Sequence, residues 1–171
     1  MLKPLKSILF ATNLHEYNKS AFDVALSLAT RYEAKLVLLH VLEKLPESVE
    51  AKIQWMIKDE QREHIKAAKV EDARKKLIGK NVSSSIIQAS LLDYCKKRGS
   101  DDNSCRNPIK EVVVIEGDVI EEILLSVEKY DCGMIVLAAH EGLFNKTAVS
   151  RVIRRVLKGS TVPVLTVPYT S

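Results

Sequence analysis

"KLVLLHVLE", residues 35–43, is almost continuously apolar between a lysine and a glutamate. A strand with one wet face alternates polar and apolar residues, so an unbroken apolar run is expected of a strand covered on both faces, as in a parallel sheet with helices on either side. Upstream, "SILFAT" at 7–12 is a second short apolar run that ends in the polar segment "NLHEYNKS". Between the two, Phe22, Ala25, Leu26, Leu28 and Ala29 return at helical spacing, and Asn18 or Ser20 is placed to cap that helix. The first 43 residues therefore read as a βαβ unit.

The same alternation continues downstream. Residues 48–80 are rich in helix formers, with Val49, Ile53, Met56 or Ile57, Ile65, Ala68, Ala73 and Leu77 as the expected apolar side of a long, partly exposed helix. "KEVVVIEGD" (110–118) is a strand ending in Gly117-Asp118, and "VIEEILLSVEKYDC" (119–132) is an amphipathic helix with Ile120, Ile123, Leu124 and Val127 inward. "GMIVLAA" (133–139) is the fourth strand. A fourth helix opened by Asn145 or Thr147 runs to about Lys158, and "VPVLTVP" (162–168) is the fifth strand. Strands alternating with helices imply an α/β, Rossmann-like fold: one five-stranded parallel sheet, right-handed crossovers and helices on both faces. The region 81–108, with its loop-like "SDDNSCRNP", reads as an insertion into a single domain spanning 1–171.

Composition narrows the functions. The chain's 171 residues suit one core, and 46% hydrophobic with 28% charged residues is the balance of a soluble globular protein. No apolar run approaches the roughly 18 residues of a membrane span, and the N-terminus lacks a cleavage pattern, so a cytoplasmic location is expected. A net charge of +4 falls well short of a dedicated nucleic-acid binder. The three cysteines, Cys95, Cys105 and Cys132, form no C-x-x-C pair, which argues against a zinc module and a secreted disulfide framework. Cys95 and Cys105 flank a polar loop that a disulfide could close; free thiols are the commoner state in a cytosolic protein.

Ligands of parallel α/β sheets sit outside the C-terminal ends of the strands. Thr12 and Asn13 follow strand one, His40 and Val41 close strand two, Gly117 and Asp118 follow strand three, and residues 138–142 follow strand four. The six glycines form neither G-x-G-x-x-G nor a P-loop, which removes the common dinucleotide and P-loop readings. His15, His40 and His140 fall on this rim and raise zinc as an alternative, weighed against a hydrogen-bonded structural role for His40 inside its apolar strand. No metal site is assigned. A serine hydrolase is a weaker reading than the metal, since no G-x-S-x-G elbow exists and Ser150 lies in a helix, and no catalytic residue is named. Arg151, Arg154, Arg155 and Lys158 follow i, i+3, i+4, i+7 spacing, the pattern of a solvated helix face; docking of an acidic partner or nucleic acid is the alternative.

These segments, in this order, resemble the universal stress protein family. "ILFATNLHEYNKSAFDVALSLA" resembles the family's first strand and helix, "KLVLLHVLE" its second strand, "EGDVIEEILLSVEKYDCGMIVLAAH" its G-x-P-x-E-E-I helix and following I-V-M-G-S-H strand, and "VPVLTVP" its closing strand. The resemblance implies an adenine nucleotide alpha hydrolase-like fold and a homodimer joined through the last strand, at Val162, Val164, Thr166 and Val167. That strand would otherwise be an exposed apolar edge, which proteins usually cover.

ATP-binding members of the family carry G-2x-G-9x-G-[ST] after strand four. Here Ala138 and Glu141 stand at the first two glycines, Ser150-Arg151 stands at the last pair, and the spacer is one residue short. Asn13 replaces the adenine-side aspartate, while Ala11 and Val41 match positions whose backbone meets base or ribose; Thr12, Gly117 and His140 complete the rim. A carboxylate at Glu141 about 4 Å from a triphosphate costs on the order of 1 to 4 kcal/mol. Gly142 supplies a turn one residue later, and Lys146 and Arg151 can offset the acid. The resemblance thus implies a non-enzymatic stress-response module with a degenerate pocket and no bound cofactor. An ATP-binding nucleotide switch or slow ATPase is the alternative.

Overall fold

The structure, a computed structural model, describes residues 4–13, 19–43, 59–81, 108–140 and 148–169. The elements run β1 (Ser7–Ala11), α1 (Lys19–Arg31), β2 (Lys35–Glu43), α2 (Asp59–Asn81), β3 (Ile109–Gly117), α3 (Val119–Lys129), β4 (Met134–His140), α4 (Ala148–Gly159) and β5 (Val164–Tyr169). The strands form one five-stranded sheet in the order β3-β2-β1-β4-β5, and every pair is parallel. This is the expected α/β architecture. The expected insertion, with Cys95 and Cys105, falls almost wholly outside the described residues.

Alternation along β1 divides the core. Ile8 and Phe10 pack with Ala21, Phe22, Ala25, Leu26 and Ala29 of α1, whereas Leu9 and Ala11 join Ile123 and Val127 of α3 and Ile153 and Val156 of α4 on the opposite face. The rings of Phe10 and Phe22 stand 5.7 Å apart at 60°, a tilted pairing that aromatic quadrupoles favour. Because β1 and β2 are buried on both faces, Ile8, Leu9, Phe10 and Leu36 to Leu39 are wholly inaccessible. This is the physical cause of the unbroken apolar runs.

Several local expectations change. Ser20 lies inside α1 and is not its cap. In α2, Ile65 and Ala68 are exposed, and among the side chains described the half-buried or buried positions are 62, 66, 70 and 73. The helix packs against β2 and β3. β5 begins at Val164, two residues later than its apolar run suggests.

Helix α3 stops at Lys129, before the expected Cys132. Tyr130 closes it, Asp131 adopts a left-handed conformation at φ 48°, and the Cys132 N–H donates to the Val127 carbonyl at 2.9 Å. α1 ends identically: Glu33 has φ 54°, and the Ala34 N–H donates to the Ala29 carbonyl at 2.8 Å. Both are Schellman ends with an acidic residue where glycine is usual, and a small buried residue follows to pack under the helix. The two ends share a sequence outline, Arg31-Tyr32-Glu33-Ala34 and Lys129-Tyr130-Asp131-Cys132, and each returns the chain beside β1.

Candidate functional site

Three strands end around one opening. Past the end of β1, the Thr12 N–H still donates to the Leu39 carbonyl at 2.9 Å, which holds Thr12 and Asn13 against β2. His40 reinforces that junction: its Nδ1 lies 2.8 Å from the Thr12 carbonyl oxygen, an atom that can only accept. Nδ1 therefore carries the proton, and in the neutral ring Nε2 is left as an acceptor.

Above the ends of β1, β2 and β4 lies a cavity of about 400 Å³. Its sheet wall is Ala11 to Asn13, Leu39 to Glu43, Leu137 and Ala138, and its helical wall is Val119 and Ile123 of α3 with Val152 and Ile153 of α4. Most of these groups are apolar. Thr12, Asn13, His40 and Glu43 supply the side-chain polarity, and Glu43 is the only ordinarily charged side chain in the described lining. This volume lies near the lower end of the 300–1,000 Å³ typical of small-molecule pockets.

Helix α3 is fixed beside the opening by its first turn. Asp118 has extended backbone and accepts from the N–H groups of Ile120 and Glu121, both at 3.0 Å, while Glu121 and Glu122 complement the positive end of the helix. Gly117, just before the cap, is closely covered: a Cβ there would meet Glu122 at 2.6 Å from Oε1 and 2.7 Å from Cγ, so the Glu122 side chain would have to move. Cys132 lies near the start of β4, at the opposite edge of the sheet. Burial pushes its thiol from 9.0 up to about 11, with Lys110 pulling it down and Asp131 adding to the rise.

Of the residues singled out from sequence, the fold brings Ala11, Thr12, Asn13, His40, Val41 and Ala138 together around the cavity. Gly117 is buried at the end of β3 and serves the α3 junction, outside the lining. Arg151 is exposed in the first turn of α4, one residue before the cavity-lining Val152. The backbones of His140 and Ser150 end β4 and begin α4, and nothing is described of their side chains. Gly142 and Lys146 lie outside the described residues, as do Glu141 and His15. Among described residues, no three His, Cys, Asp or Glu side chains form a group that could hold a metal.

The sequence reading missed Glu43, the strand residues Leu39, Leu42 and Leu137, and the four helical wall residues. Glu43 was legible as the acid closing β2; Val152 and Ile153 were legible as apolar positions between the arginines of α4.

A five-stranded parallel sheet in the order 3-2-1-4-5, with a cavity at the carboxyl ends where the strand order reverses between β1 and β4, defines a Rossmann-like α/β protein. A model described as the universal stress protein family matches residues 4–168, and the chain belongs to that family. Among solved structures, the hypothetical protein MJ0577 is similar at 20% identity and a TM-score of 0.62, with 99% of each chain covered. The universal stress protein UspA from Lactobacillus plantarum is similar at 15% identity and a TM-score of 0.56, covering 97% of this chain and 99% of that one. A universal stress protein in complex with cAMP matches at 13% identity and a TM-score of 0.52, covering 98% and 99%. At these identities the likeness is one of fold. No curated protein sequence matches the chain significantly. Among described residues, no helix is long and apolar enough to cross a membrane.

Proposed function

We propose that this chain is a non-catalytic regulatory member of its family whose cavity takes the base and sugar of an adenine compound and holds a triphosphate poorly. The observation that carries this reading is the make-up of the described lining: Ala11, Asn13, Val41 and Ala138 surround an apolar slot, while the one ordinarily charged side chain is the carboxylate of Glu43. A flat base gains from burial between such walls. Phosphates gain nothing from Glu43, and the sequence at 138–151 replaces the glycines that let backbone approach them. The cAMP complex of a structural relative supports an adenine ligand in this fold. His40, the other titratable side chain of the described lining, has its Nδ1 proton committed to the Thr12 carbonyl, which suits a positioning role.

Titration calorimetry of nucleotide-stripped protein with ATP, ADP and AMP tests this, with release of inorganic phosphate followed in parallel. The reading expects weak heats that do not strengthen from AMP to ATP, and no phosphate release. Low-micromolar ATP binding that disappears in Arg151→Glu would overturn it and favour the nucleotide-switch alternative, which the exposed position of Arg151 beside Val152 supports.

We further propose a homodimer through β5, on grounds that differ from the sequence expectation. Val162 and Val164 pack on the α3/α4 side and Val167 on the α1 side, so the apolar residues are turned toward the two cores. What β5 leaves open is backbone. The Ile135 N–H donates to the Pro163 carbonyl, and the alternation of a parallel ladder then turns residues 164, 166 and 168 to the outer edge.

A further inference from the structure

Resting on the reading of the cavity as a pocket for base and sugar, we propose that Glu43 is its specificity-determining residue, and that the ligand class it selects is an uncharged purine ribonucleoside. Residues 39, 41 and 43 share the face of β2 turned toward α3 and α4, and all three line the cavity. Val41 belongs to the apolar slot; Glu43 lies two residues further along, where a sugar attached to a base in that slot emerges. Its cross-strand neighbour is Gly117, over which the Glu122 side chain lies.

The chemistry fits a vicinal diol. An ionised carboxylate only accepts, through two oxygens, and the 2′ and 3′ hydroxyls of ribose offer two donors at matching separation. In doubly wound folds an acid following the second strand reads the ribose in this way. A phosphate on either sugar oxygen reverses the match: it removes a donor and sets a second anion against Glu43. Glu122, whose side chain lies over Gly117, adds negative charge at the same edge, and no cation lines the described cavity.

The experiment is calorimetry of the nucleotide-stripped full chain with adenosine, 2′-deoxyadenosine, 3′-AMP and ATP, repeated on Glu43→Gln and Glu43→Ala. Wild type is expected to prefer adenosine over 2′-deoxyadenosine roughly ten-fold or more, the worth of a charge-assisted hydrogen bond, and to bind 3′-AMP more weakly still. Both variants should keep the wild-type melting profile, lose most of that preference, and bind 3′-AMP better than wild type does. Equal affinity of wild type for the two nucleosides, or a preference unchanged in both variants, would overturn the assignment of Glu43 while the pocket reading stands. ATP binding without adenosine binding would overturn the ribonucleoside class together with the reading of a cavity that holds a triphosphate poorly. Absence of heat with every adenine compound would overturn the pocket reading itself, and this inference with it.

Discussion

Asp118→Ala removes the cap that sets α3 beside the cavity. The side chain accepts two hydrogen bonds at 3.0 Å, from Ile120 and Glu121, in an exposed setting, and its charge faces the positive end of the helix. Replacing an N-cap aspartate by alanine costs about 1 kcal/mol, and the lost charge–dipole term adds about 0.3 to 1 kcal/mol, of which Glu121 and Glu122 already supply a share. A total of roughly 1 to 2 kcal/mol lowers the melting temperature of a chain of this size by about 2 to 8 °C. Asp118→Asn keeps the accepting oxygen and loses only the charge, so its loss should be less than half as large. Thermal unfolding by circular dichroism, with urea unfolding for the free energies, measures both variants against wild type. The reasoning also expects alanine to weaken ligand binding, because Val119 and Ile123 of the cavity wall belong to the first turns that the cap fixes. An alanine variant within about 0.3 kcal/mol of wild type, or an asparagine variant as unstable as alanine, would refute it.

Three further outcomes are expected. Glu33→Gly and Asp131→Gly should each stabilise the fold by roughly 0.5 to 1 kcal/mol, because both positions hold positive φ, a conformation that costs an L-residue more than glycine's added chain entropy; urea midpoints check this, and a loss of stability at both sites would contradict it. Cys132 is buried with its thiol raised from 9.0 to about 11, so the neutral form is favoured by folding; its stabilisation is full below pH 9 and is lost as pH rises through about 11. The free-energy difference between wild type and Cys132→Ser should therefore shift against wild type by on the order of 2 to 3 kcal/mol across that window, and a difference that stays flat with pH would contradict the assignment. Thr166→Pro removes an N–H from the outer edge of β5 without touching the ladder to β4 and should turn the proposed dimer into monomer in sedimentation equilibrium; a well-folded variant that remains dimeric removes the β5 interface.

The strand pattern was readable because burial on both faces leaves short unbroken apolar runs between polar segments, and "KLVLLHVLE" is such a run, observed as β2, Lys35–Glu43. Helix faces were less readable where long charged side chains share the covered side. In α2, Arg62 and Lys66 are half-buried while Ile65, the obvious apolar choice, is exposed. The ends of α1 and α3 were hidden because glycine is the usual signal for a left-handed stop, and here Glu33 and Asp131 occupy those positions. Comparing "RYEA" with "KYDC" would have exposed them.

The site divides in the same way. Its strand-end residues follow from topology, since a parallel sheet gathers Ala11, Thr12, Asn13, Val41 and Ala138 at one edge whatever their chemistry. Val119, Ile123, Val152 and Ile153 reach the cavity only through the packing of α3 and α4, and sequence spacing marks them as core without saying which core residues border a void. Gly117 illustrates the converse. Its place at a strand end suggested ligand contact, and the structure gives it a packing task under Glu122.

The ratio of ATP affinity to adenosine affinity, measured by calorimetry on the same nucleotide-stripped protein, tests the central claim most directly. A cavity that holds base and sugar but offers nothing to phosphates predicts adenosine binding as tightly as ATP or tighter. ATP binding ten-fold or more tightly than adenosine would mean that residues 138–151 still grip a polyphosphate, and would contradict the account.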